Sequence, residues 1–142
     1  MKIIISVIIA VSNDERIKRC LSSLSRQTFD KNGFEILIIE NGQSCKYREL
    51  ALIYGAKYFY LPHNNMAKAR NLGVKEAAGE YVLFTDSDCV PDKNWLKEMY
   101  IFLLNNNYVG CGGRIKRYEP KTRIEMYGKN LAWGQTELQY LQ

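Results

Sequence analysis

The strongest constraint on the fold is order: short apolar runs alternate, from the first residues onward, with segments of helical period. Ile3 to Ile9, Glu35 to Ile39, Lys57 to Leu61 and Tyr81 to Phe84 are bounded by turn residues and are short enough to be buried strands. Between the first two, Ile17, Cys20, Leu21 and Leu24 recur at i, i+3, i+4 and i+7, which places them on one helical face. Tyr47, Leu50, Ala51 and Tyr54 repeat that spacing, and good helix formers from Met66 to Ala78 supply a third helix. Strand and helix in strict alternation predict an α/β domain, with a mostly parallel, Rossmann-like sheet flanked by helices on both faces. A chain of 142 residues suits one such unit with a real core.

Local signals mark the boundaries. Asp14 is placed to cap the first helix, Gly55 stands where a left-handed helix stop belongs, and Gly79 is expected to stop the third helix. Ala69, Gly73 and Ala77, four apart, give the third helix a small face that can approach a neighbouring backbone or a ligand closely. Pro91 is expected to open a further helix with Trp95, Met99, Phe102 and Leu103 on its buried stripe, ended by Asn105 to Asn107. Tyr108 to Tyr118 has the look of one or two strands around Gly110, Gly112 and Gly113, and Ile124, Tyr127 and Leu131 suggest a last helix. The expected layout is a core over about 1–118 and a helical segment over 119–142 within one domain.

Composition excludes more than it selects. The 20 basic and 15 acidic residues leave a net charge of +5, spread along the chain and suited to an anionic ligand or an acidic membrane surface. No nucleic-acid-binding motif accompanies it, so nucleic acid is not an expected partner. Cys20, Cys45, Cys89 and Cys111 form no Cys-x-x-Cys pair and read as reduced thiols of a cytoplasmic protein. The run after Met1-Lys2 superficially resembles a signal peptide, but it contains Ser6, is rich in β-branched residues and meets Asn13-Asp14-Glu15 instead of a cleavage site. No stretch is long enough to span a bilayer, which leaves a soluble or peripheral protein as the expectation.

In open α/β sheets ligands collect beyond the carboxyl ends of the strands. Three such positions are informative: Ala10-Val11-Ser12-Asn13, Glu40-Asn41-Gly42 and Asp86-Ser87-Asp88. If the backbone stays extended, Asp86 and Asp88 project to the same side, and two ionised carboxylates that close repel one another. A hard divalent cation relieves that repulsion, with magnesium or manganese completing its shell from water and phosphate oxygens. Lys68 and Arg70 on the preceding helix are cations that suit a diphosphate. The plainer alternative is an acidic pair that caps a helix before Pro91 or decorates a loop.

Taken in order, the motifs carry a resemblance. Ser6-Val7-Ile8-Ile9, Asn13-Asp14-Glu15, Cys20 to Leu24 and Gln27, Glu35 to Gly42, Ala67 to Gly73, and Ala78 to Tyr81 leading into Phe84 to Asp88, then Pro91 and Trp95-Leu96, together resemble the family-2 inverting glycosyltransferases of the A-type fold. The resemblance covers roughly residues 3 to 115. It implies a Mn2+ or Mg2+ ion on Asp86 and Asp88, and a nucleotide-diphosphate sugar, a UDP-sugar first, held by Ala10, Ser12, Glu40, Lys68, Arg70, Asp86 and Ser87. It also implies transfer to a glycan, lipid or protein acceptor in surface polysaccharide or glycolipid synthesis, with peripheral membrane association as a further expectation. Ala10 replaces the usual proline, Val11-Ser12 the usual threonine and aromatic residue, and Glu40 the usual aspartate. The family's general base lies after the acidic motif; Glu119, Glu125 and Glu137 match no family motif there, so no catalytic base is assigned, and the chain is expected to lack the acceptor part. Rival readings are a binding module without transfer and a nucleotidyltransferase, the latter opposed by the lack of a glycine-rich basic loop after the first strand.

Overall fold

The computed structural model describes residues 2–43, 45–62, 65–106 and 108–115. The chain forms two compact units, Met1–Leu96 and Lys97–Gln142. The first carries β1 (Ile5–Val11), α1 (Ile17–Ser25), β2 (Phe34–Asn41), α2 (Arg48–Ile53), β3 (Lys57–Leu61), α3 (Met66–Glu76) and β4 (Tyr81–Asp86), and α4 (Trp95–Asn105) starts at its end. All strands pair in parallel in the order β3-β2-β1-β4. The α/β reading of the sequence is the observed architecture.

Every residue of β1 is buried. Side chains alternate between faces along a strand, so burial at both parities requires a layer on each side of the sheet. On one face Ile8, Ala10, Leu37 and Ile39 meet Ala69 of α3. On the other, the Cys20 thiol of α1 lies beside Thr85, the register partner of Ile9. Ile17, Leu21 and Leu24, fully buried, complete the α1 stripe that the periodicity predicts.

The small face of α3 answers the sheet, not a ligand. A Cβ on Gly73 would stand 2.5 Å from Cγ2 of Ile8, so only glycine lets the helix lie this close to β1. Gly55 is the left-handed stop expected after α2, at φ 63°. Gly79 does not stop α3. The C-cap of α3 is Ala77, already extended at φ −67° and ψ 133°. Gly79 is instead a point of close approach, where a Cβ would lie 2.6 Å from the backbone nitrogen of Ser6.

Two helix starts also differ from expectation. Arg16 occupies the N-cap of α1 with no side-chain cap, while the Asp14 carboxylate accepts the Arg16 amide at 3.0 Å. Asp14 thus closes a local turn before the helix instead of capping it. α4 begins four residues past Pro91, after an Asp92 turn in which the carboxylate accepts the Asn94 amide at 2.9 Å. Leu96, not Trp95, is the fully buried anchor at its start. Gln27 holds this entry from both sides: its Nε2 donates to the Asp92 carbonyl at 2.6 Å and its Oε1 accepts the Leu96 amide at 3.0 Å.

In the second unit the rings of Phe102 and Tyr108 stack at 5.7 Å, and the Cys111 sulfur lies 3.5 Å from that of Met99. Over 108–115 the expected strands reduce to a one-residue bridge at Gly110. The rest of that segment, the boundary near 118, the helix expected around Ile124, Tyr127 and Leu131, and Glu119, Glu125 and Glu137 lie outside the described residues. Among the described residues no helix is long and apolar enough to cross a membrane.

Candidate donor and metal site

The strand order creates the site. From β1 the chain moves outward through β2 to β3, then crosses by α3 to lay β4 on the opposite side of β1. β1 and β4 are thus the neighbours at which the strand order reverses, and the crevice beyond the carboxyl ends of two such strands is where such a sheet takes a ligand. Asp86 is the last residue of β4 and the register partner of Ala10.

The two aspartates meet by a different route from the one expected. Extended backbone ends at Asp86, and the Cys89 amide donates to the Asp86 carbonyl at 3.1 Å, closing a turn over Asp86 to Cys89. That turn brings one ligand atom each from Asp86, Asp88 and Cys89 within 4.8 Å of one another. Asp86 and Asp88 are exposed. Burial pushes the Cys89 thiol up, and of the three groups the two carboxylates offer the hard oxygen ligands. This donor set fits Mg2+ or Mn2+, which take carboxylate oxygens and keep open positions for phosphate and water.

Each aspartate faces an arginine. Arg70 Nη2, on α3, donates to Asp86 Oδ1 at 3.1 Å. Arg16 Nη1 lies 3.4 Å from Asp88 Oδ2. Arg16 is itself clamped on Asp14 through Nε to Oδ1 at 2.8 Å and Nη2 to Oδ2 at 3.1 Å, a fork geometry particular to guanidinium. These bonds from Arg16, aided by Ser87, hold the Asp14 carboxyl down at about 2 against the upward push of burial.

The remaining predicted positions divide. Ser12 is exposed at the end of β1, and Lys68 is exposed on the first turn of α3, where its amide is capped by the Asn65 side chain at 2.9 Å. The side chains of Ala10, Glu40 and Ser87 engage the protein's own groups. Ala10 points into the core shared with Ile39 and Ala69. Ser87 is buried and donates its hydroxyl to Asp14 at 2.8 Å. Glu40, only 1% exposed, accepts from the amides of Lys46 at 2.9 Å and Tyr47 at 3.0 Å and from the Tyr58 hydroxyl at 2.7 Å. Burial, then Glu40, pushes the Tyr58 phenol up, which keeps it a donor. Glu40 is a lock on the loop between β2 and α2, and a residue one methylene longer than aspartate reaches far enough to make it.

Sequence reasoning missed Arg16 and the role of Asp14. Ser87 and Asp14 stand 73 positions apart, and no periodicity or motif links them. The only signal was Asp14 two residues before an arginine, a spacing shared by many surface turns.

The description "Glycosyl transferase family 2" matches residues 6–141. Among curated proteins, the chain is 29% identical over 140 residues to glycosyltransferase AglE of Haloferax volcanii, covering 86% of this chain and 46% of AglE. It is 33% identical over 105 residues to the poly(ribitol-phosphate) beta-N-acetylglucosaminyltransferase TarS of Staphylococcus aureus, covering 69% of this chain and 18% of TarS. The crystal structure of TarS 1-349 in complex with UDP-GlcNAc superposes with a TM-score of 0.65 at 31% identity, over 85% of this chain and 37% of that one. The mannosyltransferase PcManGT of Pyrobaculum calidifontis, at 19% identity and a TM-score of 0.67 over 82% of this chain and 36% of that one, shares the fold. The chain spans less than half the length of these relatives. A parallel sheet with its acidic turn at the β1/β4 switch, and a family match over nearly the whole chain, lead to one conclusion: this chain belongs to glycosyl transferase family 2 and has the A-type fold.

Proposed function

We propose that this chain is the donor-binding part of a metal-dependent, inverting glycosyltransferase. Its substrate is a nucleotide-diphosphate sugar, a UDP-sugar first, and its product a glycoside in surface polysaccharide or glycolipid synthesis. The observation that carries this reading is the pair of exposed carboxylates, Asp86 and Asp88, folded together by a turn at the topological switch of the sheet. A relative whose 1-349 portion takes UDP-GlcNAc supports the choice of base and sugar class.

Asp86 and Asp88 would hold the cation, whose chemistry there is to offset the charge that grows on the departing diphosphate. The chain's own groups prepare that place. Arg70, paired with Asp86 at 3.1 Å, offers a fork for phosphate oxygens, and Ser12 adds an exposed hydroxyl just after β1, beside Gly42. Lys68 adds positive charge at the start of α3. Glu40 acts behind the site by fixing the loop after β2. The four free thiols accord with action in a reducing compartment, the cytoplasm.

The test is calorimetric. UDP binding to the full chain is expected to strengthen at least about tenfold when Mn2+ is added, since metal and diphosphate share a site. Asp88→Ala is expected to abolish that enhancement while leaving the circular dichroism spectrum unchanged. An Asp88→Ala chain that still shows the full Mn2+ enhancement would sink the assignment.

A further inference from the structure

Arg16 belongs to none of the motifs that led to the donor site, yet its guanidinium reaches the site's second carboxylate. One side of the group is fixed: Nε and Nη2 are bonded to the two oxygens of Asp14 at 2.8 and 3.1 Å. Asp14 is held in turn by the Ser87 hydroxyl at 2.8 Å, and Ser87 lies between the two site aspartates. The other side is directed outward, with Nη1 3.4 Å from Asp88 Oδ2. Arg16 is therefore a tethered cation at the place where Asp88 would offer an oxygen to a metal.

A guanidinium and a hard divalent cation seek the same carboxylate lone pairs, and their charges repel. A diphosphate changes the balance. Its oxygens accept a guanidinium fork as well as a carboxylate does, and they bring negative charge beside both cations. Because the tether to Asp14 runs through Nε and Nη2, the exposed Asp88 carboxylate can turn from Nη1 to a metal while Arg16 stays in place with Nη1 open to a phosphate oxygen.

On the donor-site reading given above, we propose that Arg16 is a positioning residue that couples the two ligands: its Nη1 withholds Asp88 from the metal until a nucleotide diphosphate takes the place of that carboxylate at Nη1. Metal and nucleotide then bind as a pair, and by linkage each raises the affinity of the other by the same factor. Arg70 and Asp86 make a similar pair, but among the described residues no second carboxylate tethers that arginine. The Arg16–Asp88 contact is exposed, so its share of the coupling is modest, about three- to fivefold for a surface ion pair.

Mn2+ titration of the full chain, followed by the electron paramagnetic resonance signal of free Mn2+ with and without UDP, tests this. Arg16→Gln is expected to bind Mn2+ alone about three- to fivefold more tightly than the wild type, and UDP is expected to tighten Mn2+ binding by a correspondingly smaller factor. Arg16→Lys, which retains the charge, is expected to stay closer to the wild type. Asp14→Asn, which releases the tether while leaving Arg16 in place, provides a second variant should Arg16→Gln fold poorly, and its UDP coupling is expected to fall between the two. Wild-type Mn2+ affinity together with undiminished UDP coupling in Arg16→Gln would overturn the proposal, as would weaker Mn2+ binding in that variant. Failure of the donor-site reading has a different signature: the wild-type chain itself would bind no Mn2+ with or without UDP.

Discussion

The two ends of the same parallel sheet treat carboxylates in opposite ways. At the amino ends of the strands, Glu35 accepts the Ser6 hydroxyl at 2.6 Å, the Ala78 amide at 2.7 Å and the Lys57 ammonium at 2.7 Å, with its side chain only 9% exposed. The Gly79 amide donates to the Ser6 hydroxyl at 2.8 Å and closes the cluster. At the carboxyl ends, Asp86 and Asp88 are 63% and 44% exposed, and each meets one arginine. Glu40 shows that location alone does not decide: it is near the carboxyl end of β2, yet three donors surround it. What separates a structural carboxylate from one available to a ligand is how many of its lone pairs the protein already satisfies.

The sharpest way to break that comparison is at Glu40. Glu40→Ala strips an acceptor from two amides and the Tyr58 hydroxyl, and unsatisfied buried donors of this kind predict a loss of about 3 kcal/mol in urea unfolding. Full stability together with lost UDP binding would move Glu40 into the ligand site. Next in size is Gly79→Ala, whose new methyl meets the backbone of β1 at 2.6 Å; overpacking of this kind predicts a cost of about 1–3 kcal/mol with UDP binding retained in the folded fraction. Asp88→Ala, at the other end, is expected to change stability by less than about 0.5 kcal/mol, as surface substitutions do, although it removes the Mn2+ effect on UDP.

A pH dependence sharpens the contrast within the carboxyl-end cluster. Asp14 titrates lower in the folded chain, about 2 against an ordinary 3.8. A depressed carboxyl stabilises fully above its unfolded value, and the stabilisation is lost as pH falls through the folded value. The stability difference between wild type and Asp14→Asn is therefore expected to be constant above the ordinary carboxylate range and to shrink on acidification toward about 2, measured by urea unfolding at stepped pH. Glu35 acts in the same direction. Burial pushes its carboxyl up, but Lys57, Ser6 and the Ala78 amide outweigh that and hold it below its usual range.

Much of this protein was legible along the chain because its signals are local. A seven-residue run buried at every position reads as a central strand, and Ile17, Cys20, Leu21 and Leu24 read as one helix face, since period and hydrophobicity need no tertiary knowledge. Asp86 and Asp88 were legible as a pair because they are two residues apart, although a turn, not an extended strand, unites them. The hydrogen-bond partners of Glu40 and Ser87 were not legible for one reason: a polar residue after a strand looks the same whether its side chain turns toward solvent or toward another protein group.

By itself, then, the sequence determined the alternation of strands and helices, the parallel sheet that follows from it, and the acidic pair at the end of β4. Only the tertiary structure decided which polar groups remain free. Glu35 is tied to Ala78 across 43 positions, Ser87 to Asp14 across 73, and Arg16 to an aspartate on another strand's turn. Hydrogen bonds and charges act over a few ångströms in space whatever the separation in sequence, so the division between lock and ligand site appears only once the chain has brought its partners together.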